Sequence, residues 1–470
     1  MIRTGERIHV IGIAGSGAAG AALLLHHAGA IVDGCDLDAP SPYTPPLDGA
    51  GIRYAIGHDP AHLAGVDRVA ISPALRAVTD HPELRSAEER GIPVVTWQAL
   101  LGELMGAPGR IGLGVTGTHG KSTTTALLGH LLVAAGLDPT VEVGAFIEGW
   151  GASVRVGNGA PLLVEADEFG DNFLNYHPAG AIVTNVEMDH PDYFADAHAV
   201  MDSFERFVRG MGTHPALNGR QLIISADDPG ATELVGRLRG WEGRILRYGP
   251  GGELAATDIE LGRLGTSFTL FDRRWTSTLA GMHNVKNATA ALILARTLGA
   301  DLDLLAEGLR TFVGAGRRMQ LIADTPRVTI YDDYGHHPTE VRAALAAARQ
   351  LVGPDRRLWA VFEPHMYSRT ALLLDAFSTA FTDANEVVIA DIFASRDTPE
   401  AMAATSAEAL ADAIERASGV PSIATGDVDA TTEYVADHLG DGDAVLVMGA
   451  GKSYRIARGV AARVGEGARS

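Results

Sequence analysis

Short apolar runs alternate with alanine- and leucine-rich stretches along the chain, and this alternation is typical of an α/β protein. Apolar runs bounded by glycine or polar residues predict buried strands, and the longer stretches between them predict helices. Near the N-terminus the pattern predicts a helix after the first strand that runs through Ala28 and a second helix at residues 82–90. The strands predicted in this segment are residues 8–11, 30–35, 68–72 and 93–95. Strands that alternate with helices in this way favour a parallel sheet.

Two further segments repeat the pattern. In the middle segment, we expect a helix at residues 122–135 and strands at 111–116, 162–164 and 181–183. In the last segment, we expect strands at 328–331, 358–362, 386–390 and 444–448. A chain of 470 residues is long enough for roughly three domains of about 150 residues each. Breaks in the pattern near Ala107 and Gly314 predict domains at 1–107, 108–314 and 315–470.

A lysine stands in a glycine loop between the strand at 111–116 and the following helix. The run is Gly117-Thr118-His119-Gly120-Lys121-Ser122-Thr123, and Lys121 is one of only three lysines in the chain. Glycines let backbone amides converge on a polyphosphate, the lysine reaches the outer oxygens, and a serine hydroxyl can ligate magnesium. We expect an exposed loop that binds ATP. The generic phosphate-loop spacing fits only in part, so a glycine turn with a chance lysine is the alternative.

Composition and charge exclude several classes of protein and several kinds of partner. The formal net charge of -20, with no basic block, argues against a nucleic-acid binder. The single cysteine, Cys35, excludes an internal disulfide and fits a reducing compartment. We see no signal peptide and no apolar run of about 18 residues, so we expect no membrane partner and a cytoplasmic location.

A second glycine turn follows the first predicted strand. It reads Gly12-Ile13-Ala14-Gly15-Ser16-Gly17, and an acidic residue, Asp36, follows the next strand. Such a unit holds a nucleotide pyrophosphate at a helix N-terminus. Alone this fingerprint is weak, and it leaves a nicotinamide-dependent dehydrogenase open as an alternative.

Acidic and histidine side chains follow the two predicted strands at 162–164 and 181–183. Parallel sheets bind ligands at such strand ends, and oxygen ligands suit magnesium. A surface turn is the alternative for Asp189 and His190. The residues in question are Glu165, Asp167, Glu168, Asp189 and His190.

Polar residues also gather later in the chain. Asn284 lies at the start of an alanine-rich helix, where capping and base contact are equally good explanations. Arg317 and Arg318 lie at a domain junction, where a guanidinium could reach a terminal phosphate as domains close. Two strand-end loops, 332–339 and 362–370, carry His, Tyr and Arg and suit a carboxylate-bearing substrate, with capped turns as the alternative.

Together these motifs resemble the Mur ligases, the ATP-dependent amide-forming enzymes of peptidoglycan precursor synthesis, over essentially the whole chain. The run Asp332-Asp333-Tyr334-Gly335-His336-His337-Pro338 and the run around His365 and Arg369 are most similar to the branch that joins L-alanine to UDP-N-acetylmuramic acid. The resemblance implies an α/β fold of three domains: a Rossmann-like N-terminal domain, a central P-loop ATPase domain and a C-terminal Rossmann-like domain. The other matching stretches are 117–122, 165–168, 185–190, 283–287 and 316–318.

The resemblance also implies roles for single residues. The ATP site would comprise residues 117–123, with Lys121 on the phosphates, Asn284 on the adenine, Arg317 on the terminal phosphate and Asp333 on the ribose. Ser122 and Glu165 would hold a first magnesium ion and His190 a second, so that Lys121, Glu165, His190 and Arg317 form the catalytic set. Residues 12–17 would bind the UDP-sugar. The amino acid would lie among Tyr334, His336, His365 and Arg369.

Departures from the branch pattern keep alternatives open. Met366 stands where an arginine is typical, and Lys452 where an aspartate is usual. A related ligase that adds a peptide or another amino acid is therefore the second hypothesis, and a silent binding protein is a further one. A cap on the following helix, or a surface ion pair with a local acid such as Asp375, is the alternative for Arg369. The resemblance implies ATP and Mg²⁺ as cofactors, UDP-N-acetylmuramate and L-alanine as substrates, and a monomer or weak homodimer.

Overall fold

The computed structural model describes residues 1–73, 75, 78 and 80–467. The chain folds into two compact units. The first comprises residues 1–187, 197–255 and 287–309, and the second comprises residues 188–196, 256–286 and 310–470.

The first unit opens with a parallel five-stranded sheet of strand order β3-β2-β1-β4-β5. Its strands are β1 (Arg7–Ile11), β2 (Ile31–Asp36), β3 (Arg53–Ile56), β4 (Arg68–Ile71) and β5 (Val94–Thr96). The helices of this segment are α1 (Ser16–His27), α2 (Pro45–Gly49), α3 (Pro82–Glu89) and α4 (Trp97–Met105). This strand order is that of a Rossmann-like sheet, whose nucleotide site lies where the order reverses after β1.

A seven-stranded sheet follows in the same unit, with the order β12-β11-β10-β6-β9-β7-β8. All neighbouring strands are parallel except β7 and β8. The strands are β6 (Ile111–Thr116), β7 (Thr140–Ile147), β8 (Ala152–Arg155), β9 (Pro161–Glu165), β10 (Gly180–Val183), β11 (Gln221–Ser225) and β12 (Arg244–Tyr248). The helices are α5 (Lys121–Ala134), α6 (Ala197–Arg209) and α7 (Pro229–Arg237). Later in the chain come α8 (Met282–Thr297) and α9 (Leu302–Thr311), of which residues 287–309 belong to this unit.

The second unit contains a six-stranded sheet of order β16-β17-β21-β18-β19-β20, which is parallel apart from the edge strand β16. The strands are β16 (Gln320–Asp324), β17 (Val328–Asp333), β18 (Leu358–Phe362), β19 (Glu386–Ala390), β20 (Ser422–Gly426) and β21 (Asp443–Met448). The helices are α10 (Pro338–Val352), α11 (Tyr367–Leu372), α12 (Leu374–Ser378), α13 (Pro399–Met402), α14 (Ala407–Ser418), α15 (Val428–His438) and α16 (Ser453–Gly467).

Alternate residues of the central strands of this sheet enter two different cores. In β21, Leu446 and Met448 join one hydrophobic cluster, whereas Val445 and Val447 join the other. Successive side chains of a strand point to opposite faces, so a strand that is buried on both faces is apolar throughout. This is why continuous apolar runs predicted the strands of this segment.

A three-stranded antiparallel sheet also belongs to the second unit, and the sequence pattern did not predict it. Its strands are β13 (Thr257–Gly262), β14 (Gly265–Leu270) and β15 (Arg273–Ser277). The side-chain amide of Gln350 in α10 donates to the backbone oxygens of Gly262 and Gly265 at 2.8 and 3.1 Å, and its oxygen accepts from the backbone nitrogen of Gly281 at 2.8 Å. One side chain thus fastens this sheet to the helix beside it.

Within the described part of the chain, no helix is long and apolar enough to span a bilayer.

Candidate active site

The loop between β6 and α5 has a backbone that requires its two glycines. Gly117 has a φ of +133°, and a Cβ there would lie 2.0 Å from Thr184 Oγ1. Gly120 has a φ of +80°, and a Cβ there would lie 2.8 Å from Asn287 Oδ1. Both residues combine a left-handed conformation with a lack of space, so no other amino acid fits without a shift of its neighbours.

Lys121, the first residue of α5, points back into this loop. Its Nζ donates to the backbone oxygens of Gly117 at 2.8 Å and Thr118 at 3.2 Å, and to Glu168 Oε2 at 2.8 Å. Burial opposes the charge, but the carboxylates of Glu168 and Asp167 raise the pKa of Lys121. The amine is therefore positively charged at neutral pH, and the backbone of the loop surrounds it. The side chain is only 12% exposed, so the expectation of an exposed loop was wrong.

Ser122 and Glu165 meet at the start of α5 and the end of β9. Ser122 Oγ donates to Glu165 Oε1 at 2.9 Å, and the backbone nitrogen of Gly144 donates to Glu165 Oε2 at 2.7 Å. Glu142 is buried, and the charge of Glu165 acts on it. Burial and this charge raise the pKa of Glu142 well above the usual range. Sequence reasoning missed Glu142, although an acid within the apolar run of β7 was a signal.

The segment after β10 forms hydrogen bonds with the loop between β6 and α5. The backbone nitrogen of His119 donates to Asn185 Oδ1 at 2.8 Å, and Thr184 Oγ1 donates to the backbone oxygen of His119 at 2.6 Å. The backbone nitrogen of Glu187 donates to Thr118 Oγ1 at 2.8 Å. Thr123 lies buried in the first turn of α5. These hydrogen bonds fix the loop residues before any ligand binds.

The first glycine turn has the geometry of a nucleotide cradle. Gly12 has a φ of +79°, and Gly15 is the N-cap of α1 with no side chain to cap the helix. The backbone nitrogen of Ala14 donates to Asp36 Oδ2 at 2.9 Å, so the acid at the end of β2 holds the turn. Ser16 Oγ is buried and has no hydrogen-bond partner among the described residues.

The neighbours of this turn limit what can occupy it. Ile13 is fully buried in the core and anchors the turn. A Cβ at Gly17 would lie 2.5 Å from Trp97 Cζ2, so α1 packs closely against α4 there. The start of α1 combines the positive end of a helix that has no side-chain cap with a buried hydroxyl, an arrangement that suits a phosphate group.

In the second unit, Arg369 is the centre of a buried polar cluster. Its Nε donates to Asp189 Oδ1 at 2.8 Å, and its Nη1 lies 3.1 Å from His365 Nδ1. Burial opposes the charge of Asp189, but the guanidinium lowers its pKa, whereas burial lowers the pKa of His365 to about 4. The alternative of a surface pair with Asp375 is wrong, because Arg369 is 2% exposed and its partner is Asp189.

Tyr334 and His336 extend this cluster. Their rings meet edge to face with centroids 5.6 Å apart, and the rings of His336 and His365 are 5.9 Å apart. Burial lowers the pKa of His336 to about 3, so the imidazole is neutral at neutral pH. The cluster therefore combines one buried guanidinium with two uncharged imidazoles and a phenol ring.

Arg317, near the start of the third predicted domain, has a left-handed backbone with a φ of +56°. Its Nη2 donates to the backbone oxygen of Gly449 at 2.6 Å and to Ser453 Oγ at 2.8 Å, and its Nε donates to Asp332 Oδ2 at 3.2 Å. The guanidinium also lies over the Tyr334 ring, 5.1 Å from its centroid. Arg317 is thus held by its own unit.

Three further predicted site residues belong to the second unit. Asp333 accepts from the backbone nitrogens of Met319 at 2.8 Å and Gly335 at 2.7 Å, and burial raises its pKa. Asn284, in the first turn of α8, donates from Nδ2 to the backbone oxygen of Ala280 at 2.8 Å. His190 has a φ of +55°, and its backbone nitrogen donates to Asp189 Oδ1 at 2.7 Å.

The predicted residues are divided between the two units. The first unit brings together residues 117–123 with Glu165, and it places residues 12–17 at the start of α1. The remaining predicted residues all belong to the second unit, and they are Asn284, His190, Arg317, Asp333, Tyr334, His336, His365 and Arg369. Asp189 was expected beside a metal, and its ion pair with Arg369 was not foreseen.

Comparison with known solved structures supports the three-domain α/β architecture. A UDP-N-acetylmuramate-alanine ligase from Thermotoga maritima matches with a TM-score of 0.79 and 24% identity, over 98% of this chain and 99% of that one. A murein peptide ligase from Psychrobacter arcticus matches with a TM-score of 0.67 and 25% identity, over 98% and 99%. The expected fold is confirmed.

Sequence comparison identifies the family. Residues 7–107 match the model of the Mur ligase family catalytic domain, residues 163–295 the Mur ligase middle domain, and residues 317–451 the glutamate ligase domain of Mur ligases. The UDP-N-acetylmuramate--L-alanine ligase of Mycolicibacterium vanbaalenii is 38% identical over 98% of this chain and 96% of its own length. That of Kineococcus radiotolerans is 40% identical over 95% and 93%. Nothing in these comparisons supports the dehydrogenase alternative, and the chain belongs to the Mur ligase family.

Proposed function

We propose that this protein is an ATP-dependent ligase that joins L-alanine to UDP-N-acetylmuramic acid in peptidoglycan precursor synthesis. One observation carries the proposal: relatives that share 38 and 40% of their residues with nearly the whole chain are ligases of this name. The chemistry of the site supports it independently. A wrapped lysine, a carboxylate–hydroxyl pair and a buried arginine cluster are the groups that phosphorylation of a carboxylate and capture of an amino acid require.

The ATP half of the proposal rests on Lys121 and its loop. The lysine Nζ is held by two backbone oxygens and Glu168, so its charge is already in place when a polyphosphate arrives. Preorganised positive charge stabilises the transferring phosphoryl group without reorganisation at the moment of reaction. Arg317 is proposed to neutralise the terminal phosphate, Asn284 to contact the adenine and Asp333 the ribose.

Magnesium fits the chemistry of Ser122 and Glu165. The two side chains offer hard oxygen atoms that already lie 2.9 Å apart, and hard oxygen is what this ion prefers. When bound, magnesium supplies charge neutralisation at the phosphates. We propose Ser122 and Glu165 as ligands of one ion and His190 as a ligand of a second.

The acyl half of the proposal follows from the chemistry. The lactyl carboxylate would attack the terminal phosphorus of ATP to form an acyl phosphate and ADP, and the alanine amine would then displace phosphate to form the amide. The amine must first lose a proton. His336 lies among Tyr334, His365 and Arg369, the side chains that we propose surround the amino acid. Its pKa of about 3 makes it a weak acceptor for that proton, so its proposed role is to line the pocket.

The nucleotide sugar is proposed to bind at residues 12–17. The open start of α1 and the buried hydroxyl of Ser16 suit a diphosphate, and Asp36 orients the turn. Substrates of this kind, together with ATP, fit an enzyme of the cytoplasm, and we propose a monomer or weak homodimer.

A ligase that adds a peptide remains the second candidate. Met366 replaces the arginine typical of the L-alanine branch, and here it is fully buried with a φ of +69°. The structural match to a murein peptide ligase, at a TM-score of 0.67 against 0.79, keeps this candidate below the first.

Phosphate release distinguishes the candidates. The protein is incubated with ATP, Mg²⁺ and UDP-N-acetylmuramate, with no acceptor, with single amino acids and with short peptides of the peptidoglycan stem. We expect release above the no-acceptor control with L-alanine and little with D-alanine or peptides. Release with a tripeptide alone would overturn the first candidate in favour of the second. Release with no acceptor at all would point to ATP hydrolysis.

A further inference from the structure

The first sheet carries a second concentration of reactive side chains, apart from the phosphate loop. His9 lies in β1, Cys35 in β2, His62 in the loop after β3 and Glu83 in the first turn of α3. Each offers one ligand atom, and these atoms all lie within 4.8 Å of one another. We call these four residues the His–Cys–Glu cluster. None of them has a part in the proposed reaction.

Three members of the cluster, His9, Cys35 and Glu83, have separations close to those of ligands that share one metal ion. His9 Nε2 lies 3.4 Å from Cys35 Sγ and 3.5 Å from Glu83 Oε1, and Cys35 Sγ lies 3.1 Å from Glu83 Oε2. Zinc bonds of about 2.0 Å to nitrogen and oxygen and about 2.3 Å to sulfur place tetrahedral ligands about 3.3–3.6 Å apart. The separations among His9, Cys35 and Glu83 are close to this range, whereas His62 Nδ1 lies 2.7 Å from Glu83 Oε1 and would have to move away from that oxygen for both to bind one ion.

The orientation of His9 is set from outside the cluster. Its Nδ1 lies 2.7 Å from Asp33 Oδ1, so the other ring nitrogen, Nε2, faces Cys35 and Glu83. A carboxylate commonly holds the far nitrogen of a histidine that ligates zinc, since it fixes the ring and raises its basicity. Asp33 already supplies that arrangement.

Two more histidines border the cluster. His58 Nδ1 lies 3.2 Å from Cys35 Sγ and 3.3 Å from Glu83 Oε2. His81 is 5% exposed, and neither of its ring nitrogens has a hydrogen-bond partner among the described residues. Its ring centroid lies 4.3 Å from that of His58. A buried imidazole without a hydrogen-bond partner is costly. His58, His81 and Glu83 also each offer one ligand atom, and these three atoms lie within 4.8 Å of one another.

We propose that the His–Cys–Glu cluster is a binding site for one zinc ion, distinct from the magnesium of the ATP site. One sulfur, two imidazole nitrogens and a carboxylate oxygen are ligands that select zinc over magnesium. Because its ligands come from β1, β2, the loop after β3 and α3, the bound ion would fasten four separate chain segments. The backbone oxygen of Cys35 accepts from the backbone nitrogen of Gly12 at 2.8 Å, so the ion would lie next to the first glycine turn. A hydrogen-bonded polar cluster without metal is the competing explanation.

Cobalt spectroscopy tests the proposal on the full-length protein. The protein is stripped with a chelator and titrated with Co²⁺ in the absence of ATP and Mg²⁺. We expect one equivalent to give the intense visible bands of a tetrahedral site together with a thiolate-to-cobalt charge-transfer band, and Zn²⁺ to abolish both. Cys35→Ser should remove the charge-transfer band, and Glu83→Gln should weaken binding by at least about tenfold.

Two controls make the result decisive. His26→Gln changes an exposed histidine of α1 and should leave the spectrum unchanged. The melting temperature of the unsubstituted protein should rise with Zn²⁺ and not with the same concentration of Mg²⁺, a measurement that does not depend on the variants folding. Folded protein that gives neither a charge-transfer band nor a zinc-dependent rise in melting temperature would overturn the proposal. So would equal cobalt spectra for Cys35→Ser and the parent.

Discussion

Arg369 and Asp189 form an ion pair between residues 180 positions apart in the chain, with Nε and Nη2 of the guanidinium each 2.8 Å from the same carboxylate oxygen. Both side chains are almost fully buried, at 2% and 5% exposed. A buried pair of this kind is strongly destabilising to break, because the remaining charge has no water around it. The ion pair therefore fixes the orientation of the guanidinium, whose Nη1 lies 3.1 Å from His365 Nδ1.

Arg369→Lys should raise the Michaelis constant for L-alanine by about tenfold or more and change that for ATP little, because an ammonium cannot reproduce a planar fork of donors. Steady-state kinetics with each substrate varied in turn measure both constants. The matched control is Arg342→Lys, an exposed arginine of α10 in the same unit. An equal loss for the two substrates would make Arg369 a purely structural partner of Asp189.

Lys121→Ala should reduce phosphate release at least about a thousandfold, because it removes the preorganised charge at the phosphates. It also takes a cation away from the buried carboxylate of Glu168, so the free energy of unfolding should fall by up to about 3 kcal/mol. Lys121→Ala combined with Glu168→Gln should recover stability and stay inactive. Lys452→Ala, at an exposed lysine, is the control. Activity of Lys121→Ala within tenfold of the parent would refute the role.

Glu165→Gln should raise the Mg²⁺ concentration needed for half-maximal activity, because the change removes an anionic oxygen while keeping the shape of the side chain. Magnesium titrations at saturating ATP measure the effect. Glu148→Gln changes an exposed acid of the same unit and should leave the titration unchanged. If Glu165→Gln and the parent titrate identically, the metal ligand lies elsewhere, with Glu168 the next residue to test.

His336 should make the protein less stable as the pH falls. Its pKa is about 3 in the folded state against 6.5 for the ordinary group, so between these values the unfolded chain binds a proton that the folded chain does not. The free energy of unfolding therefore falls on acidification below about pH 6.5, by up to about 1.4 kcal/mol for each pH unit from this group.

The comparison of His336→Gln with the parent isolates this contribution. Urea unfolding at pH 7 and pH 5 should show a smaller loss of stability for the variant than for the parent. His438→Gln, at an exposed histidine of α15, should behave as the parent does. Parallel losses for His336→Gln and the parent would mean that His336 takes up its proton in the folded state.

The sequence pattern predicted those features whose residues are neighbours in the chain. Strands that are buried on both faces, such as β6 and β19, are continuous apolar runs, and the pattern predicted their bounds as the structure has them. The antiparallel sheet β13–β15 has an exposed face, and its alternating polar residues gave no continuous run. Local motifs such as the loop around Lys121 were visible because their members are neighbours in the chain.

Contacts between residues that are far apart in the sequence could not be predicted from any local pattern. Glu165 was predicted from its place after a strand, but its bond to the backbone of Gly144 depends on how β7 and β9 pair. Asp189 and Arg369 were each singled out, yet nothing local indicates that they bind each other. His9, Cys35 and Glu83 converge only because β1, β2 and α3 pack together, which is a property of the tertiary structure.

Gln350 determines where this chain can be divided. Two of its hydrogen bonds tie the strands at 257–277 to a helix that begins at Pro338, and the third holds Gly281 just after them, although the two segments are far apart in the sequence. A fragment that ends at residue 314 would carry the small antiparallel sheet without the amide that satisfies its backbone, and a fragment that begins at 315 would carry the amide without the sheet. Expression of separate pieces for crystallography or for fragment screening therefore needs residues 256–286 to remain with the C-terminal sheet, by circular permutation or by fusion through a linker.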